Sequence, residues 1–120
     1  INWNANFAEM RRQLLAKGLL DLVANGRQEL DRIERQATTA LGCETAKPQP
    51  GCRVTVRFLQ QTTRLKPPIE VFAQFVYAFE LAKADPRVVG INLVAPEDHP
   101  IALRDYTLQM EMLKFLRSQV

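Results

Sequence analysis

The chain predicts an α/β fold, with elements in the order helix, strand, helix, strand, helix and the two strands parallel. Three observations carry that expectation. Val88-Val89-Gly90-Ile91-Asn92-Leu93-Val94 is an almost continuous apolar run behind a proline stop, which suits a strand buried on both faces of a helix-covered sheet. Residues 53–64 alternate apolar and polar side chains with the period of two that a strand requires. Between the two, residues 67–85 carry apolar side chains at helical spacing, and a strand–helix–strand crossover of that length is right-handed with parallel strands.

Composition sets the broad class. The 120 residues are 47% hydrophobic and 24% charged, ordinary for a globular domain with a core. The net charge of +3 comes from basic residues interleaved with acidic ones. They read as solvated faces, so no nucleic-acid partner is expected. No apolar run is long enough to cross a bilayer, and no membrane partner is expected. The chain opens on Ile1 rather than Met, so the native N-terminus and any signal are expected to lie outside it.

Residues 1–42 predict one long helix, or two in line. Asn6 suits the N-cap, and Glu9 completes a capping box. Phe7, Met10, Leu14, Leu22, Leu30, Ile33, Ala37 and Leu41 keep one face apolar. Arg27/Asp31 and Asp31/Arg35 are i,i+4 pairs on the wet side. Gly18 and Gly26 each weaken a helix by about 1 kcal/mol and mark places for a bend. Gly42 suits the position just past the helix end.

Residues 43–52 predict a loop punctuated by Pro48, Pro50 and Gly51, with Cys43 and Cys52 at its ends. The cysteines either bridge, which implies an extracytoplasmic, oxidising compartment, or remain two free thiols, as in the cytoplasm. Residues 53–64 are the first strand. Val54, Val56 and Phe58 share one face, and Leu59, Gln61 and Thr63 lie on the other. Pro68 and Glu70 suit the first turn of the 67–85 helix, whose stripe is Phe72, Phe75, Val76, Phe79 and Ala82. Asp85-Pro86 stops it. The second strand is 87–95, with Asn92 as a buried amide in need of partners. Residues 100–120 form the last helix, with Leu103, Tyr106, Met110 and Leu113 as its buried row. Two strands do not complete an α/β domain. The chain is expected to be a single segment of a larger barrel, or to complete its sheet with another copy and so self-associate.

Residues 53–120 carry a family resemblance, concentrated in Val88-Val89-Gly90-Ile91-Asn92-Leu93-Val94-Ala95-Pro96-Glu97-Asp98 and Leu103-Arg104-Asp105-Tyr106. They resemble the middle of an adenosine deaminase-type metal-dependent hydrolase, in particular the adenosine deaminase growth factor branch. That branch has a Gly-(Phe/Ile)-Asp-Leu-Val-Gly-x-Glu-Asp run followed by Leu-x-Asp-Tyr. The resemblance implies a partial (β/α)8 barrel, with this chain supplying the third and fourth strands. It implies a parent enzyme that removes the amino group of a purine nucleoside hydrolytically, with one zinc ion as cofactor. The family's zinc ligands and its catalytic glutamate, in a His-Ala-Gly-Glu run, match no residue here. The segment alone is therefore expected to be inactive and to bind no metal. His99 matches none of those positions, and two cysteines with one histidine fall short of a zinc site.

Two residues depart from the family run. Asn92 replaces an aspartate and removes a charge. Ala95 replaces a glycine whose backbone N–H meets the purine, keeping the N–H but adding a methyl group. The nucleoside is thus left open. Barrel sites lie at the C-terminal ends of the strands, which singles out Thr63, Ala95 and Glu97 as substrate-binding residues. By resemblance Thr63 lies near the purine pocket and Ala95 offers its N–H. Glu97 either accepts a hydrogen bond from a sugar hydroxyl or base edge, or is a solvated loop carboxylate.

A rival expectation is a non-catalytic module in which the N-terminal helix mediates self-association.

Overall fold

Gly18 divides the N-terminal helical stretch into α1 (Phe7–Ala16) and α2 (Leu19–Ala40) by taking φ 93°, which glycine adopts without a Cβ penalty. The structure, a computed structural model, describes residues 2–119. The Asn6 side chain accepts from the Glu9 N–H at 3.1 Å and caps α1, but the expected capping box does not close: the Asn6 N–H donates to Asn4 Oδ1 at 2.8 Å, and the Glu9 carboxylate accepts from Gln13 at 3.0 Å instead. Past α2, Gly42 takes φ 65°. Its N–H donates to Thr39 C=O, and the Cys43 N–H donates to Thr38 C=O, closing a Schellman motif.

The break at Gly18 resets the helical phase. Leu19 and Val23 enter the core, and Leu22, expected inside, is exposed. Helix α2 runs unbroken through Gly26. That glycine lies where α2 crosses the next helix, and a Cβ there would strike the Tyr77 hydroxyl. The expected wet-side pairs are replaced by longer-range ones: Arg27 reaches Asp85 at 3.7 Å, and Asp31 reaches Arg87 at 2.9 Å.

Strand β1 is Phe58–Thr63, shorter than the expected 53–64. Pro50–Arg53 forms a 3-10 turn, and Val54 and Val56 are exposed. The register explains the difference. Phe58 pairs with Val88, the first residue of β2 (Val88–Val94), so residues 53–57 have no strand beside them. The two strands are parallel and form a two-stranded sheet. Val89 is an extra residue in β2, since Phe58 faces Val88 and Leu59 faces Gly90.

Helix α3 (Pro68–Ala84) is the centre of the molecule. Val71, Phe72, Phe75, Val76 and Ala78 are fully enclosed by the sheet, by α1 and α2, and by the C-terminal helix. Burying each of the two phenylalanines stabilises by roughly 2–3 kcal/mol. Trp3 and Phe7 extend this core, with ring centroids 5.8 and 5.5 Å from that of Phe72. Arg11 on α1 donates to Glu80 on α3 at 2.7 Å.

The sheet is covered on one face only. Val88 and Thr62 face the helices, while Leu59 (61% exposed), Gln61 and Asn92 face outward. The expectation of a strand buried on both faces is therefore corrected for β2. Asn92 is exposed and meets water, and Val89 is 62% exposed.

The C-terminal helical stretch is also two helices, α4 (Pro100–Arg104) and α5 (Tyr106–Arg117), hinged at Asp105. The hinge changes which side chains are buried. Ala102, Gln109, Met112 and Leu116 are inside, and Leu103 and Tyr106 are outside.

Candidate functional site

Parallel strands bring both C-terminal ends to one edge, and the register sets Thr63 beside Val94. Along β1, the Phe58 N–H donates to Arg87 C=O and the Arg64 N–H to Val94 C=O. Even-numbered residues thus address β2, and the backbone of Leu59, Gln61 and Thr63 points to the free edge. At Thr63 that edge is closed by a side chain. Gln74 of α3 accepts from the Thr63 N–H at 2.8 Å and donates to the Thr63 C=O at 3.1 Å.

Beyond β2 the chain turns through Ala95, the one described non-glycine residue with positive φ, at 135°. A Cβ makes that region costly, by about 1–3 kcal/mol, and residues held there cluster at functional sites. Arg64, a residue only 6% exposed, lies beneath this turn, and its Nη2 donates to Ala95 C=O at 3.4 Å. Gln109, 1% exposed, donates from Nε2 to Arg64 C=O at 3.0 Å. Arg64 Nε and Gln109 Oε1 are buried without a hydrogen-bond partner. Thr62 Oγ1 lies 3.5 Å from Asn92 C=O, across the two strands.

After Ala95 the loop is tied down by its own caps. The His99 N–H donates to Pro96 C=O at 3.2 Å, and His99 Nδ1 accepts from the Ile101 N–H at 3.1 Å as the cap of α4. At the next hinge, hydrogen bonds from the Arg104 side chain hold the Asp105 carboxyl below its usual range. Asp105 serves the helix junction: its N–H donates to Ile101 C=O, and its C=O accepts from the Gln109 N–H.

Of the three residues expected to bind substrate, Thr63 and Ala95 are half-buried and adjoin through the Thr63–Val94 pair. Glu97 is exposed in the following loop. Sequence reasoning passed over Gln74, Arg64 and Gln109. Arg64 read only as the last residue of the 53–64 strand. Gln109 had one signal, an amide three residues before Met112 and seven before Leu116 on the same buried face of α5.

Among the described residues, no group of three His, Cys, Asp or Glu side chains is placed to hold a metal ion. Cys43 and Cys52 form a disulfide with Cα atoms 5.6 Å apart. No helix among the described residues is long and apolar enough to cross a membrane.

Grooves border both sides of the sheet. One of about 550 Å³ runs between α2, Gln60–Gln61 of β1 and Gln74 and Tyr77 of α3. Another of about 450 Å³ runs between Val88–Ile91 of β2 and Phe79 and Lys83 of α3. Neither is lined by Thr63, Ala95 or Glu97.

No family model, no curated protein and no solved structure matches the chain.

Proposed function

We propose that this chain is an internal segment of a zinc-dependent purine nucleoside deaminase, contributing the third and fourth strand–helix units of a (β/α)8 barrel. Ala95 carries the proposal. Residue 95 takes φ 135°, a backbone conformation that favours glycine, at the position where the resembled family has glycine.

Two further features support a barrel segment. The outward face of the sheet mixes Leu59, Gln61, Asn92 and Thr63, a composition suited to a barrel interior with a polar end. Grooves border the sheet on both sides, where neighbouring strands and helices of a barrel would lie. In this proposal Thr63, Ala95 and Glu97 meet the nucleoside, and zinc is held by residues beyond this chain. The segment alone has no activity. The Cys43–Cys52 disulfide favours an oxidising compartment outside the cytoplasm.

The test is a longer chain. The coding sequence after Val120 should carry a His-Ala-Gly-Glu run. The protein extended to include it should contain zinc and release ammonia from adenosine or a related purine nucleoside. An extended protein that holds zinc yet leaves every purine nucleoside intact refutes the proposed activity.

A second function is supported by the N-terminal arm, where Leu20 and Leu22 are both more than half exposed on α2. Here α2 mediates self-association of a non-catalytic module. Leu22→Lys should then lower the mass seen by size exclusion. If association runs through the sheet edges instead, that mass is unchanged.

A further inference from the structure

Arg64 poses a physical problem that the proposed function leaves unused. Arg64 is buried, only 6% exposed as a residue. Among the described residues, no carboxylate pairs with it, and its Nε has no partner. An uncompensated buried cation is costly, because the group loses its hydration without a counter-charge in return. Its backbone is nevertheless fixed at both ends: the N–H donates to Val94 C=O at 3.2 Å, and the C=O accepts from Gln109 at 3.0 Å. Among the described residues, the one side-chain hydrogen bond of the guanidinium runs to the carbonyl of Ala95, the residue at φ 135°.

We propose that Arg64 is a positioning residue, whose buried guanidinium holds the Ala95 carbonyl and so keeps the strained, glycine-like turn at the end of β2. The proposal rests on the assignment of this edge to substrate binding, and it adds the device that presents the edge. Released from Arg64, Ala95 would relax toward negative φ, as an alanine does where nothing prevents it. The peptides on either side would rotate with it. Gln109 completes the device from α5 by anchoring the Arg64 carbonyl, so that the last helix and both strand ends are tied to one turn.

A double-mutant cycle on the 120-residue chain tests this without any substrate. The four proteins are the parent, Arg64→Met, Ala95→Gly, and the double variant, compared by thermal unfolding. In the parent, Ala95→Gly should raise Tm by about 4 °C, since relief of strain outweighs the added freedom of the unfolded chain. In the Arg64→Met background that gain should vanish, because alanine has already relaxed. Equal gains in both backgrounds would overturn the proposal. If Arg64→Met does not fold, Arg64→Lys keeps the charge and loses the planar fork. Its amide spectrum should then shift at Ala95 while Phe72 and Phe75 stay in place. An unshifted Ala95 amide would equally overturn it. Because neither measurement uses a nucleoside, a failed deaminase assay and a failed cycle remain separate results.

Discussion

Gln74 stands in for a neighbouring strand at Thr63, accepting from its N–H at 2.8 Å and donating to its C=O at 3.1 Å. An edge strand presents unpaired backbone groups that recruit other chains. Here the last pair on the free side of β1 is occupied from within, by an amide in the second turn of α3. The free edge is thereby limited to Leu59 and Gln61.

Gln74→Leu should lose both bonds and destabilise the chain by about 1–2 kcal/mol. It should also strengthen self-association, since Thr63 rejoins the open edge. Urea unfolding and sedimentation equilibrium check the two effects. An unchanged midpoint would mean that water replaces the amide at no cost.

Asp85 should govern acid stability. Hydrogen bonds from the Arg87 side chain, reinforced by the Arg87 N–H and by the charges of Arg87 and Arg27, hold its carboxyl down to about 2. A depressed carboxyl stabilises the fold above its unfolded value near 3.8, and that contribution fades as pH falls toward 2. It amounts to about 2 kcal/mol. Arg87 also bonds Glu34 and Asp31 at 2.9 Å, fastening α2 to the start of β2. Arg87→Leu should cost about 3 kcal/mol at neutral pH, because it strands the buried Asp85. It should also move the acid unfolding midpoint upward. A midpoint that stays put would show that Arg87 is not what holds Asp85 down.

Gly26→Ala should destabilise the chain, although alanine favours a helix by about 1 kcal/mol. The new methyl meets the Tyr77 hydroxyl, and overpacking of this kind costs about 1–3 kcal/mol. In a Tyr77→Phe background the sign should reverse. The next nearest atoms are Tyr77 Cζ at 3.4 Å and Leu81 Cδ1 at 3.6 Å, which are ordinary contacts. Thermal unfolding of the four combinations decides it.

Reduction of the Cys43–Cys52 bridge should cost about 3 kcal/mol through the freedom returned to the unfolded loop. The two cysteines are nine positions apart. Tm with and without reductant should differ by roughly 10 °C. A difference near zero would mean that the loop is already constrained, for instance by Leu41 packed over Gly51.

What the sequence determined by itself is local. Asn6 starts a helix, Gly42 ends one, Pro68 opens another, and Asp85-Pro86 stops it, because each of these signals acts within four residues of its own backbone. The two strands and their parallel sense follow from period and crossover length. What only the tertiary structure decided is non-local. Whether Asn92 is buried depends on how many faces of the sheet the helices cover, and they cover one. Whether Val54 and Val56 join the strand depends on where β2 begins. The buried rows of α2 and α5 depend on breaks at Gly18 and Asp105 that reset the helical phase by a fraction of a turn, which a spacing count carries through unbroken. The residues around the candidate edge lie further still from local signals. Gln74 reaches Thr63 across 11 positions, Arg64 reaches Ala95 across 31, and Gln109 reaches Arg64 across 45. A polar residue reads the same in sequence whether it faces water or a carbonyl, and only packing distinguishes the two.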